Sequence, residues 1–435
     1  MTSVADRLAG LLEPALGPLP VRIRAWDGSV AGPSTGPTLV IASRKALRRL
    51  LWNPGELGLA QAYVTGEIDV EGDIAAGFRQ VWAAHRAGAP SRPELTRADQ
   101  LRMLRTSARL GVLGRRPAVP ASQSALRGER HTKARDRDAI AHHYDLSNAF
   151  YALILDENMA YSSGYWSAPY VRGVSDPASV TDAQRDKLDL VCRKLGLQPG
   201  MRLLDVGCGW GSLILHAAQH YGVHATGVTL SGQQHAFVTE SIAERGLADS
   251  VEVRLQDYRE IDPFPTPWDA VASLEMGEHV GQENYATYTS ALFAALKPTG
   301  RLLLQQMSRR ADARPGGGEF IEAFIAPDMH MRPVGETVDL IAQAGFEIRD
   351  VHALREHYVW TVEAWLDTFE SHVEQLTALV GEEVVRVWRL YLVGGALTFE
   401  EGRMGVDQIL AVRPGPAGQS GMPPRRSDGP STIVG

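Results

Sequence analysis

The chain has 435 residues, 44% of them hydrophobic and 22% charged, with a formal net charge of −7. That composition is ordinary for a globular protein and long enough for two domains, and the acidic balance argues against a nucleic-acid partner. No apolar run of about 18 residues is present, no basic segment leads into an apolar core at the N-terminus, and Cys192 and Cys208 give neither a disulfide framework nor metal-ligand spacing, so a cytoplasmic location without a metal is expected.

Residues 1–90 read as a first unit. Within it Thr38 to Ala42 is a short strand, Arg44 to Leu51 a basic helical patch, and Gly66 to Asp73 a turn-rich acidic stretch that reads equally as a solvated loop. Residues 91–137 read as a basic linker, with arginines from Arg92 to Arg137 interrupted by Pro117 and Pro120. Such a strip is either a solvated connector or a surface that meets anionic lipid head groups. Residues 138–413 form the second unit, with strands at Arg202 to Val206, His224 to Thr229, Val251 to Gln256, Trp268 to Leu274 and Gly300 to Met307, and helices between them. That alternation predicts an α/β fold, a parallel sheet covered on both faces. Residues 414–435, rich in Gly, Pro, Ser and Arg, read as a disordered tail.

The most informative stretch is Leu203-Leu204-Asp205-Val206-Gly207-Cys208-Gly209-Trp210-Gly211, followed by a helix-like run from Ser212 to Tyr221. A buried first strand ending in a glycine turn lets the backbone approach a nucleotide-like ligand. In such sheets the ligand lies beyond the carboxyl ends of the strands, so the loops Asp205 to Gly211, Thr229 to Gln234, Gln256-Asp257-Tyr258 and Glu275 to His279 converge. A dinucleotide enzyme carries an acid at the end of the second strand to hold a ribose. Here that place reads Gly227-Val228-Thr229-Leu230-Ser231, which argues against NAD. The tight turn suits a ligand without a pyrophosphate, such as S-adenosylmethionine, with its adenine near Asp257 and Tyr258 and its amino-acid end near the glycines.

From Ile140 to Gly402 the chain resembles the cyclopropane-fatty-acyl-phospholipid synthase family, methyltransferases that act on lipid double bonds. The resemblance is carried by His143 to Tyr151, Met159 to Trp166, the glycine turn, Gly227 to Gln234, Gly277-Glu278-His279-Val280-Gly281 and the helical stretch Tyr391 to Gly402. It implies a Rossmann-like class I methyltransferase sheet with helices on both faces, and a smaller α+β N-terminal domain associated with lipid. It implies that Tyr161 and Ser162 contact the methionine part of S-adenosylmethionine, that Asp205, Gly207 and Gly209 lie at the turn beneath it, that Thr229 and Gln234 hold the ribose, and that Gln256, Asp257 and Tyr258 frame the adenine.

The implied reaction is attack of a cis alkene on a sulfonium methyl, giving a carbocation in a dry pocket. Tyr165, Trp166, Trp360 and Trp365 are candidates to face that cation, each of them equally a core residue. A base must then remove a proton. In the family that base looks like a bound bicarbonate, held here by Glu278, Tyr358, Ser163 and Gln305, with His279 orienting the loop. Ser163 and Gln305 depart from the family's cysteine and histidine. The altered anion site favours an exocyclic methylene over a cyclopropane ring, the 10-methylene precursor of a 10-methyl chain that a separate reductase would saturate.

The partners implied are a phospholipid with a cis-unsaturated acyl chain, the inner membrane surface met peripherally, that reductase, and a second copy in a homodimer. Two other readings remain at this point: a small-molecule O- or N-methyltransferase on the same sheet, and a non-catalytic lipid-binding module.

Overall fold

The computed structural model describes residues 2–16, 18–86, 105–124, 132, 135, 147–262 and 266–423. They fall into two compact units, one of Met1–Gln123, Gly318–Phe324 and Val380–Leu397, the other of Ser124–Gly317, Ile325–Leu379 and Thr398–Gly435.

The first unit is α+β. Its four strands, β1 (Arg22–Arg24), β2 (Val30–Ala31), β3 (Thr38–Ile41) and β4 (Ile68–Glu71), form a sheet in the order β2-β1-β3-β4. The acidic stretch expected as a possible loop is therefore a strand where Ile68 to Glu71 pair antiparallel with β3. Its burial alternates, with Ile68 buried, Val70 partly buried and Asp69 and Glu71 exposed, the period-two pattern of a half-buried strand.

The boundary at residue 90 also moves. Leu110 and Val112 lie in this unit's core with Ile23, Ile41 and Ala46, so the described part of the expected linker that holds them is packed structure. Two later segments join the unit as well. The buried Arg386 guanidinium donates to the carbonyls of Tyr63 at 2.6 Å and Ile68 at 2.8 Å and lies 4.3 Å from the Tyr63 ring centroid, so its buried charge is met by backbone acceptors and an aromatic face. Arg92, Arg97, Arg102, Arg127, Arg130, Lys133 and Arg137 lie outside the described residues.

The second unit is a seven-stranded sheet built from β5 (Arg202–Val206), β6 (His224–Thr229), β7 (Val251–Leu255), β8 (Trp268–Leu274), β9 (Leu296–Arg309), β10 (Glu347–Ala353) and β11 (Met404–Val412), in the order β10-β11-β9-β8-β5-β6-β7. β5 to β9 run parallel, and β11 inserts antiparallel between β9 and β10. The sequence reading found the five parallel strands and not β10 or β11. Strand side chains alternate between faces: Leu203 enters one apolar layer with the helices Val180–Leu195 and Ser212–Tyr221, whereas Leu204 and Val206 enter another with Tyr285–Ala295 and Val334–Gln343.

The chain leaves β5 outward to β6 and β7, then returns to β8 on the other side of β5. This reversal opens a crevice at the carboxyl ends of the strands. Among the described residues no helix is long and apolar enough to cross a membrane. The described part of the expected tail holds a turn closed by the Gly415 amide on the Gln419 carbonyl at 2.8 Å; residues 424–435 lie outside the described residues.

Candidate active site

A pocket occupies the crevice, lined by Asp205, Gly207, Gly209, Thr229 and Gln234 from the ends of β5 and β6 and the segments that follow them, and by Tyr161, Ser162, Glu275 and His279. The turn after β5 is shaped by Gly207, Gly209 and Gly211, with φ of 84°, 54° and 81°, a region that L side chains rarely enter. A Cβ on Gly207 would lie 2.6 Å from Met276 Cγ, whereas one on Gly209 would meet no protein atom within 4 Å. Gly227 in β6 serves the same turn from behind, since a Cβ there would lie 2.8 Å from Cys208 Sγ.

Asp205 supplies the charge of this half. It is buried, and its Oδ1 has no hydrogen-bond partner. Desolvation pushes its carboxyl up to about 7, opposed by the buried Lys187 ammonium. An unpartnered buried carboxylate is costly, and a ligand ammonium at the glycine turn would relieve it. The amino-acid end of S-adenosylmethionine has that group, so the residues present fit the cofactor.

The remaining cofactor positions are more mixed. Thr229 Oγ1 donates to Gln234 Oε1 at 2.8 Å, a pair on the pocket wall where a ribose hydroxyl was expected. Tyr258 and Gln256 line the pocket. Asp257 does not: its carboxylate caps the following turn and accepts from Arg259 Nε at 2.7 Å and Arg259 Nη2 at 2.6 Å. Of the adenine frame, the structure thus brings Gln256, Tyr258 and Arg259 to the pocket and turns Asp257 onto Arg259.

The second half of the site departs most from expectation. Ser163, Gln305 and Tyr358 do converge, and what they surround is Glu275. The Ser163 amide donates to Glu275 Oε1 at 2.9 Å, Gln305 Nε2 to the same oxygen at 2.7 Å, and the Tyr358 hydroxyl to Oε2 at 2.6 Å. Glu275 follows β8 with φ of 54°, a strained conformation for a residue with a Cβ. Burial raises its carboxyl above the usual range, while these three donors and Lys187 favour the ionised form.

Glu278, expected among the same donors, instead turns to β9. Its Oε1 accepts from the Met307 amide, and its buried Oε2 has no partner. Burial first, then the Glu275 charge, push its carboxyl up to about 8, so it is largely protonated near neutral pH. His279 lines the pocket, and burial pushes its imidazole down to about 4; it is neutral.

The aromatic candidates separate into two groups. Trp365 packs on Tyr161 at 5.3 Å and on Tyr358 at 6.2 Å between centroids, with Phe399 4.6 Å from Tyr358. This group borders Glu275. Tyr165 and Trp360 gather instead around His357, at 4.8 and 5.3 Å, and the Trp166 amide donates to His357 Nδ1 at 2.9 Å. The resemblance motif begins at His143, and His143 to Leu146 lie outside the described residues.

Comparison with known proteins identifies the family. Residues 131–409 match the family profile described as mycolic acid cyclopropane synthetase. A probable fatty acid methyltransferase of Pseudomonas putida is 36% identical over 425 residues, covering 96% of this chain and 98% of the relative. The tuberculostearic acid methyltransferase UfaA1 of Mycobacterium tuberculosis is 30% identical, covering 92% and 89%. The crystal structure of the mycolic acid cyclopropane synthase CmaA1 complexed with SAH and CTAB superposes with a TM-score of 0.58 at 31% identity, over 63% of this chain and 98% of that one. With the profile spanning well over half its length, the chain belongs to the cyclopropane synthase family of S-adenosylmethionine-dependent methyltransferases, enzymes that act on lipid double bonds.

Proposed function

We propose that this enzyme methylates the cis double bond of an unsaturated acyl chain in a membrane phospholipid, and that its product is a methylene-branched chain, the precursor of a 10-methyl fatty acid. The observation that carries this reading is the aromatic cluster in which Tyr161, on the pocket lining, packs on buried Trp365, with buried Tyr358 and Phe399 behind it and the Glu275 carboxylate at its edge. When bound, S-adenosylmethionine supplies an electrophilic methyl group, which the alkene π pair takes as the carbon–sulfur bond breaks and its electrons remain on sulfur.

The protein's task is to hold the alkene, exclude water and receive one proton. An alkene has no polar handle, so positioning by shape supplies much of the acceleration. Water would trap the cation, and the aromatic cluster excludes it. An aromatic face also stabilises a desolvated cation by about 2 kcal/mol. The near-full-length likeness to a tuberculostearic acid methyltransferase and the departure of Ser163 and Gln305 from the ring-forming pattern support the methylene product.

Contact with the bilayer is part of this reading. In the first unit the exposed Leu51 and Trp52 stand on the same helix as the exposed Arg44 and Lys45. Trp52 Nε1 donates to the Gly114 carbonyl at 3.0 Å, placing the indole beside exposed Leu113, Arg115 and Arg116. Exposed apolar side chains on a surface that also carries Arg44, Lys45, Arg115 and Arg116 suit an anionic lipid surface.

The test is expression in a host that makes oleoyl phospholipid, with acyl chains identified by mass spectrometry. A chain heavier by one carbon and two hydrogens with an exocyclic methylene is expected. A cyclopropane ring would overturn the product assignment, and an unmodified chain the substrate.

A further inference from the structure

We propose that the Glu275 carboxylate is the base of this reaction, built into the chain at the place where a bound bicarbonate was expected. The inference rests on the lipid-methylation reading above and deepens it.

Three observations converge on Glu275. First, its donors come from three of the residues expected to cradle an anion, Ser163 through its backbone amide rather than its hydroxyl, which donates to the Gly164 carbonyl. The Ser163 amide, Gln305 Nε2 and the Tyr358 hydroxyl all point at its two oxygens, between 2.6 and 2.9 Å. A free anion would need these same hydrogens, and each has one partner already. Second, the backbone is strained to place it. Glu275 has φ of 54°, where glycine is the relaxed choice and a residue with a Cβ costs about 1–2 kcal/mol. Its own amide is held by the Gln305 carbonyl at 2.7 Å. Strain of this kind persists where the surroundings over-determine a conformation. Third, it lines the cofactor pocket together with Asp205, Gly207 and Tyr161, whereas Glu278 bonds away from it to the β9 backbone.

The charge balance around it suits an ionised carboxylate. Lys187 is wholly buried and bonds Ser162 Oγ at 2.9 Å. Its charge interacts with Glu275, Asp156 and Asp205. The neighbouring Glu278 carries a proton near neutral pH and adds no second negative charge.

The step balances as follows. After methyl transfer the acyl chain holds a cation on the carbon next to the methylated one. A hydrogen moves with its electron pair from the methylated carbon to that neighbour, leaving the cation on the methylated carbon. Glu275 then takes a proton from the new methyl group, and the released C–H pair becomes the exocyclic C=C bond. Without the hydride shift, the same proton loss closes a ring. The protonated carboxyl returns its proton to solvent on product release.

The experiment compares the wild type with Glu275→Gln and Glu275→Gly in CO2-free buffer, using dioleoyl phospholipid vesicles and S-adenosylmethionine, with acyl products read by mass spectrometry and S-adenosylhomocysteine affinity by calorimetry. Glycine suits the backbone here, which guards against misfolding. Wild-type turnover without added bicarbonate is expected. Glu275→Gln should fall by about 100-fold or more, the usual contribution of a positioned base, with S-adenosylhomocysteine affinity kept. Glu275→Gly should fall likewise and regain at least about tenfold with added formate or bicarbonate, which a merely structural carboxylate would not show.

Wild-type dependence on bicarbonate, near-normal turnover of Glu275→Gln, or no recovery of Glu275→Gly with either anion would each overturn the proposal. A wild type that leaves the oleoyl chain unmodified would instead overturn the functional reading beneath it.

Discussion

The Gln408 side-chain amide donates to Gln305 Oε1 at 3.0 Å, and that bond decides which end of Gln305 faces Glu275. With its oxygen held by β11, Gln305 can present only its NH2 group to the carboxylate. The two glutamines meet because β9 and β11 pair antiparallel with Gln305 opposite Gln408. Gln408 Oε1 itself is buried without a partner, so Gln408→Met removes one unsatisfied acceptor along with the useful donor. Stability should change by less than about 1 kcal/mol, while turnover falls several-fold because the Gln305 amide is no longer held. Thermal unfolding and turnover, measured on one preparation, check both halves; equal loss of stability and activity would contradict the orienting role.

This pair also marks the limit of what the sequence makes legible. The turn Asp205 to Gly211 and the helix Ser212–Tyr221 are local: strand, glycines and helix follow one another, and the sequence reading gives the helix with its observed ends. Residues 68–71 carried a local signal too, the alternation Ile-Asp-Val-Glu, hidden by their acidity. Glu275 is different. It lies within the converging loop after β8, but nothing in its neighbours reveals a positive φ or three donors arriving from residues 163, 305 and 358. Such convergence is a property of sheet register and helix placement, not of spacing. The same holds for Glu278, whose turn toward Met307 depends on β9 lying beside β8.

Asp205 should govern cofactor affinity and its pH dependence. With its carboxyl pushed up to about 7, it is ionised above that pH and neutral below. An ammonium partner favours the ionised form. Affinity for S-adenosylhomocysteine should therefore strengthen as pH rises from about 5.5 to about 8, and Asp205→Asn should weaken it about tenfold at pH 8 and flatten the profile. Calorimetric titration across this range is the check, and an unchanged profile in Asp205→Asn would remove the carboxylate from the cofactor site.

The glycine turn separates folding from binding. Gly207→Ala forces a Cβ to 2.6 Å from Met276 Cγ at φ of 84°, so it should lower the melting temperature. Gly209→Ala meets no protein atom within 4 Å and carries only the positive-φ cost of about 1–2 kcal/mol, yet its methyl faces the cavity. It should fold and bind S-adenosylhomocysteine at least about tenfold more weakly, a loss of about 1.4 kcal/mol. Normal affinity in a folded Gly209→Ala protein would displace the cofactor from the turn.

Glu278 makes a prediction about stability. Its folded-state carboxyl stands at about 8 against an ordinary value of 4.5, raised by burial and by Glu275. Between these two values the folded state binds more protons than the unfolded one, so stability falls as pH rises. The contribution is complete below 4.5 and lost as pH climbs through about 8. Glu278→Gln is neutral throughout and should flatten this part of the pH–stability curve, which chemical denaturation at pH 5, 6.5 and 8 would measure.

The last prediction concerns the membrane. If exposed Leu51 and Trp52 enter the bilayer while Arg44, Lys45, Arg115 and Arg116 meet its head groups, binding has an apolar part and a screened electrostatic part. Raising the salt concentration shortens the Debye length from about 10 Å at 0.1 M to about 3 Å at 1 M, so affinity for anionic vesicles should drop steeply with salt, and affinity for neutral vesicles should stay weak throughout. Trp52→Ala should reduce both, since it removes apolar area without changing charge. The indole's bond to the Gly114 carbonyl is exposed and contributes little to folding, so the variant stays folded. Vesicle flotation at two salt concentrations reads these effects directly, and binding indifferent to salt, lipid charge and Trp52 together would remove this face from the membrane.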